Sequence, residues 1–249
     1  MSRPPPPWLF KKYVELLFQT NYLPFTVEKA RRVFSAGDVS PAVQLARLSK
    51  LGWLDRWARG TYRAVHPLVC MREMVAPAWR VRVPQKDRLP ILELAVARIF
   101  EEFGSGLRSL VLFGSLARGA ANEESDIDLL LVADGLPESY DKRLSMIRSI
   151  LSFEPIEKWR NLLWKKRGIY PLIEVISLSA EEALTTHPFY LDMTESAIMI
   201  YDREMFFARK LGDLRARLEE IGAFKSVLPS GQRFWVLAKD ASAAEKLVL

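Results

Sequence analysis

Apolar and polar positions along this chain follow two periods. From Trp8 to Phe18, apolar side chains recur at Leu9, Tyr13, Leu16 and Leu17 behind the proline run Pro4–Pro7. That spacing lines one face of a helix, and prolines suit its first turn. Thr26 can cap a second helix over Val27–Phe34. Ser40-Pro41 opens a third, which runs to Leu51 and stops at Gly52. The period then shortens: Trp53-Leu54, a basic turn with Arg56 and Arg59-Gly60, and Thr61–Val65 predict a short hairpin. Met71–Asp87, punctuated by Pro77 and Pro84, reads as a connector. Beyond it the pattern predicts an amphipathic helix over Ile91–Phe103 and apolar strands at Leu110–Phe113 and Ile127–Val132. A helix over Pro137–Ile150, a β-branched strand within Tyr170–Ser177 and a late helix over Met205–Ile221 follow.

Composition adds a boundary. The chain has 249 residues, enough for two small domains, with 49% hydrophobic and 27% charged residues. Residues 1–88 carry 16 Lys/Arg against 6 Asp/Glu, whereas the remainder carries 20 against 24. A basic unit over residues 1–83 is therefore expected to precede a mildly acidic one over 84–249, and the first to meet polyanions. No apolar stretch reaches the ~18–20 residues that span a bilayer, and the Pro-rich start does not read as a signal peptide. No membrane association and a cytoplasmic location are expected. One cysteine, Cys70, and two histidines, His66 and His187, allow no intrachain disulfide and give no basis for a zinc site.

The candidate chemistry is concentrated in residues 112–132. The first strand ends at Gly114-Ser115; after ten intervening residues come Asp126-Ile-Asp128 and a second apolar run. Side chains alternate along a strand, so Asp126 and Asp128 are expected on one face. Two carboxylates that close repel each other unless a cation sits between them, and hard oxygen ligands suit Mg²⁺ together with substrate phosphates. Gly114 lets backbone approach a phosphate, and Ser115 offers a hydroxyl and an N–H at a helix start. Such a pairing equips a protein for phosphoryl or nucleotidyl transfer. A basic, Trp-containing run, Lys158–Arg167, reads equally as a rim for a triphosphate or acidic substrate and as a solvated helix face.

Gly-Ser, ten residues, then Asp-x-Asp resembles the signature of minimal nucleotidyltransferases of the DNA polymerase beta superfamily, with Arg118-Gly119 matching the Ala-Arg-Gly that often follows the serine. Leu116 departs from the pattern, since many relatives carry a polar or basic residue there. The resemblance implies a third carboxylate on a later strand, best matched by Glu174 in Leu-Ile-Glu-Val-Ile, and a polymerase-beta-like α+β core with a mixed sheet. The tail, from Ala197-Ile-Met-Ile-Tyr201 through Phe234-Trp235 to Lys239, is similar to archaeal members. By the resemblance, Asp126, Asp128 and Glu174 are catalytic and bind Mg²⁺, with Gly114, Ser115 and Arg118 binding the nucleotide. The implied reaction moves NMP, foremost AMP from ATP, to a hydroxyl acceptor. Some family members adenylylate a tyrosine of a partner HEPN toxin; small-molecule acceptors and RNA 3′ ends stay open.

Three helices followed by a hairpin resemble a winged helix-turn-helix. On its third helix Gln44, Arg47 and Lys50 are expected to share the exposed face, with Val43, Leu45, Leu48 and Leu51 nearer the core. Arg56, Arg59 and Arg63 would decorate the wing, and all six basic or polar residues are candidate DNA contacts. The alternative is a DNA-binding regulator whose transferase core is a non-catalytic nucleotide sensor or scaffold; a protein-docking adaptor is a further class.

Overall fold

The computed structural model describes residues 2–34, 39–76, 78–229 and 233–237; Ala238 and Lys239, the end of the tail similarity, lie outside the described residues. The N-terminal unit begins with α1 (Pro7–Thr20), the two-residue β1 (Phe25–Thr26), α2 (Val27–Phe34) and α3 (Pro41–Lys50). A prolyl first turn starts α1 and α3, and the Ser40 hydroxyl accepts the Val43 N–H. β2 (Leu54–Ala58) and β3 (Thr61–Ala64) form the expected hairpin, and β1 adds on the far side of β3, giving an antiparallel order β1-β3-β2.

The connector is more ordered than its prolines suggest. Pro67–Val75 folds as α4, capped by His66, whose ring nitrogen accepts the Leu68 N–H; Val69, Cys70 and Glu73 are buried. α5 (Leu89–Phe103) is not the amphipathic helix expected: its residues 89–97 are all buried. A helix packed on every side is an interior helix. α5 lies between the N-terminal unit and the sheet that follows, against α4, α7 (Tyr140–Leu151) and α8 (Glu154–Arg167).

That sheet has four strands. β4 (Leu107–Phe113) leads into the short α6 (Gly114–Arg118); β5 (Ile127–Ala133) pairs antiparallel with β4. β6 (Ile173–Leu178) runs parallel to β5. After α9 (Ala180–Leu184) and α10 (Tyr190–Ser196), β7 (Ile198–Asp202) pairs antiparallel with the other edge of β4, giving the mixed order β6-β5-β4-β7. α11 (Phe206–Glu220) and the hairpin of β8 (Phe224–Val227) and β9 (Arg233–Val236) complete the chain as described. Alternation along β4 and β5 separates two cores. Leu110, Leu112, Leu129 and Leu131 face α5 and the N-terminal unit. Val111, Leu130 and Val132 face Tyr190, Met193 and the inner side of α11. Strands covered on both faces read as unbroken apolar runs. No helix among the described residues is long and apolar enough to cross a membrane.

An ion network joins the two units. Glu93, in the second turn of α5, is 1% exposed. Its carboxylate accepts a two-pronged contact from Arg63 on β3, and Arg80 donates to it at 3.3 Å. Arg63 also meets Asp55 on β2, while Arg80 reaches Glu73 on α4 at 2.6 Å. Burial alone would raise the Glu93 carboxyl, but the two guanidinium groups outweigh it and hold it below the usual range. Its folded value therefore lies below its unfolded one. Its contribution to stability is complete above the ordinary carboxylate range and is lost as pH falls through the depressed value.

Arg63→Ala is expected to cost about 3–5 kcal/mol in urea unfolding, because it strands a buried carboxylate. Glu93→Gln should flatten the decline in stability that the wild type shows below the ordinary carboxylate range; an unchanged acid profile would remove Glu93 from that role.

Candidate active site

The site is assembled where three strands meet. Registers set Phe113 opposite Asp128 across the β4–β5 pair, and Asp128 beside Glu174 across the β5–β6 pair. Asp126 immediately precedes β5, and its Oδ1 accepts the Leu172 N–H at 2.7 Å. That bond ties the Asp126 carboxylate to the segment that enters β6. All three carboxylates, separated by as many as 48 positions along the chain, are thereby brought to one end of adjacent strands.

Gly114 is required by geometry. Its φ is +69°, and a Cβ placed there would lie 1.8 Å from Asp128 Oδ2 and 2.7 Å from its Cγ. The bare glycine gives the Asp128 carboxylate its place against the start of α6. Ser115 follows on α6 and Arg118 is exposed at its end, before Gly119 turns the chain with φ +72°. Leu116, the departure from the expected pattern, is fully buried and serves the core.

The electrostatics bear the mark of crowded anions. Burial pushes the Asp128 carboxyl above the usual range, the Glu174 and Asp126 carboxylates push it further, and Arg118 opposes them. Among the described residues, no three Asp, Glu, His or Cys side chains close into a ready-made metal cage. Mg²⁺ does not need one, because it takes one or two carboxylates and fills its octahedron with water and substrate phosphates. Asp126, Asp128 and Glu174, an all-oxygen set with a partly desolvated member, fit that ion.

Sequence reasoning missed the support of the loop between α6 and β5. Gln85 makes a reciprocal pair with Ala121, donating to its carbonyl at 2.6 Å and accepting its N–H at 3.0 Å. Arg88 donates to the Asn122 carbonyl, and Pro84 packs over Gly119. Nothing in the pattern marked these residues, since prolines made the segment read as a connector. Equally unforeseen, Asp192 on α10 feels the charge of Arg118 and pairs with Lys225 at 2.9 Å.

The expected triphosphate rim on α8 is divided. Trp159 is buried against Trp57, and Lys158 pairs with Glu154. Arg160 lines a groove shared with Glu174, whereas Lys166 and Arg167 line a different cavity.

Two expected DNA contacts are corrected. Gln44 is 3% exposed: its amide donates to the Val39 carbonyl at 2.7 Å, so it faces inward. Arg63, also 3% exposed, is committed to Glu93 and Asp55. Neither can reach a groove. Arg47, Lys50, Arg56 and Arg59 are exposed, as is Val43, which was expected nearer the core. Arg47 lies over the half-exposed Trp8 ring, 6.0 Å from its centroid.

A nucleotidyltransferase domain model matches residues 95–165. A “Putative protein adenylyltransferase MJ1305” from Methanocaldococcus jannaschii is 30% identical over 149 residues, covering 59% of this chain and 92% of that protein. The chain therefore belongs to the nucleotidyltransferase family, and its enzymatic class is nucleotidyltransferase. Among solved structures, a “putative nucleotidyltransferase from Sulfolobus solfataricus” shares 23% identity at TM-score 0.30, over 53% of this chain and 94% of that one. A “toxin-antitoxin with AMP-PNP” shares 13% at TM-score 0.29, over 51% and 90%.

Gly114→Ala forces a left-handed conformation that costs about 1–2 kcal/mol and displaces the Asp128 carboxylate. We expect nucleotidyl transfer to fall ~100-fold, as for a misplaced reacting group, with the far-ultraviolet dichroism unchanged. Wild-type turnover by this variant would refute the close approach.

Proposed function

We propose that this protein is a Mg²⁺-dependent adenylyltransferase that moves AMP from ATP to a hydroxyl group on a protein acceptor, releasing pyrophosphate. The observation that carries the reading is the strand register that sets Asp128 beside Glu174, with Gly114 against the Asp128 carboxylate. Asp126 and Asp128 would hold the ion. Bound there, Mg²⁺ would supply positive charge to the triphosphate in the transition state. Gly114 and Ser115 would cradle the β- and γ-phosphates, with Arg118 compensating their charge. Glu174, exposed and unengaged in any salt bridge described, would help hold the ion or accept the acceptor's hydroxyl proton as general base. The acceptor oxygen then bonds to the α-phosphorus as the bond to the departing pyrophosphate breaks.

The choice of AMP and of a protein acceptor is supported by the named relative, matched over 92% of its length. A tyrosine of a partner HEPN toxin as that acceptor rests on the sequence resemblance alone. The N-terminal unit, residues 1–83, we read as a winged helix that binds DNA, joined to a transferase unit over 84–249. Its three helices and β1-β3-β2 sheet support this, as do the exposed Arg47 and Arg59.

The test is label transfer from α-³²P-ATP with Mg²⁺ in host lysate, wild type beside Asp126→Ala/Asp128→Ala. A labelled protein band reduced at least ~100-fold in the double variant is expected, the scale of a lost transition-state charge contact. Label in RNA, or equal label in both lanes, would sink the reading. For DNA, Arg47→Ala/Arg59→Ala should weaken a gel shift uniformly across sequences and lower its salt slope by about one per lost phosphate contact.

A further inference from the structure

Away from the carboxylates, a cavity of about 640 Å³ lies between the N-terminal unit and the end of α8. Seven of its lining residues are Lys or Arg and three are acids. The acids are spoken for: Asp55 and Glu73 meet Arg63 and Arg80 in the floor, and Asp87 meets Arg88 and Arg167. Lys50 and Arg56 from the first unit and Lys166 from the second face the same space with no acidic partner among the described residues. Lys86 spends its ammonium on the carbonyls of Arg80 and Val81, at 2.7 and 3.2 Å. Cations gathered without counter-charge repel one another, and a bound anion relieves that cost. The Ser49 hydroxyl on the same wall is buried with no hydrogen-bond partner, a group that calls for one. The remaining wall is not ionic: the half-buried Trp57 ring, Leu89 and Leu163 line it. Pockets of this make-up, largely apolar with a few convergent polar groups, suit small ligands.

The cavity is also wired to the candidate active site. Lys86 and Asp87, in its wall, belong to the five-residue segment Pro84–Arg88 that clamps the loop through Gly119, Ala121 and Asn122. That loop continues through Ser125, whose hydroxyl accepts the Asn122 N–H, directly into Asp126.

We propose that this cavity binds a small phosphorylated molecule bearing a flat ring, the chemistry of a nucleoside phosphate, and that its occupancy is transmitted through Pro84–Arg88 to the loop carrying Asp126. Phosphates would sit among Lys50, Arg56 and Lys166, with the ring against Trp57, Leu89 and Leu163. The binding half stands independently of the transferase reading; the regulatory half rests on it. A volume of about 640 Å³ and the apolar wall of Trp57, Leu89 and Leu163 match a small-ligand pocket, and a small ligand is the occupant argued here.

The experiment is equilibrium dialysis of the full chain with labelled ADP in EDTA, which withholds the ion from the carboxylate site. We expect ADP to bind wild type and Asp128→Ala alike, and at least tenfold more weakly to Lys50→Glu/Lys166→Glu. Should that variant melt early, Lys50→Gln/Lys166→Gln repeats the comparison with side-chain bulk retained. Pyrophosphate and adenosine are each expected to compete, more weakly than ADP itself. Hydrogen exchange should show residues 119–126 slowed by ADP in wild type, with the effect lost in Gln85→Ala. ADP binding lost in Asp128→Ala but kept in the lysine variant would overturn the site, as would no metal-free binding of ADP. Binding of an oligonucleotide alone would replace the small ligand by nucleic acid and overturn it too. Binding without any change in exchange at 119–126 would overturn the coupling. Failure of label transfer with metal-free ADP binding intact would count against the transferase reading and leave the site standing.

Discussion

A single buried carboxylate organises this protein. Glu93 sits in the second turn of α5, within the stretch 89–97 that is buried on every side. An isolated charge there would cost several kcal/mol, so the fold must bring cations to it. Arg63 comes from the hairpin of the first unit and Arg80 from the segment after α4. Satisfying Glu93 therefore fixes how the N-terminal unit lies on α5, and α5 in turn backs the sheet that carries the carboxylates. The same network forms the floor of the cationic cavity, and because its acids are engaged by arginines, Lys50 and Lys166 in the wall are left without acidic partners among the described residues.

The candidate site depends on that frame in a second way. Asp128 and Glu174 are aligned by strand register, with Asp126 just ahead of β5, and register is set by burying alternate faces of β4 and β5 in different cores. A one-residue slip of β5 would turn Asp128 into the interior. The loop before β5 is held from outside the sheet, by Gln85 and Arg88. Residues that punctuate the chain as a connector thus act as a clamp on the loop that leads to Asp126.

Much of this was legible in order along the chain. The glycine–serine turn, the paired aspartates and the two apolar runs stand within twenty-three residues, Leu110 to Val132, so local spacing sufficed to mark them. Glu174 was pointed to by the family resemblance, which implies a third carboxylate on a later strand, and it lies exposed on β6 beside Asp128. The first three helices and the hairpin followed from caps, prolines and a change of period. What failed were inferences about which face looks outward. Helical spacing grouped Gln44 with Arg47 and Lys50, and strand position grouped Arg63 with the wing, yet both side chains are buried. α4 escaped notice because its one proline, Pro67, and Pro77 just beyond its end make the segment read as broken.

The sequence by itself determined much of the local structure: most of the helices and strands, where the chain must turn on glycine, and that two aspartates stand one residue apart at the start of an apolar strand. Those properties depend on neighbours within a few residues, through steric limits on the backbone and the alternation of side chains. Only the tertiary structure decided the pairing of Glu93 with Arg63 and Arg80, the parallel placement of β6 that sets Glu174 beside Asp128, and the convergence of Lys50, Arg56 and Lys166. These contacts join positions tens of residues apart, and their geometry follows from how two cores close on opposite faces of one sheet. A charged residue looks the same in the sequence whether it ends in water or in an ion pair; burial, which is a property of the whole fold, makes the difference.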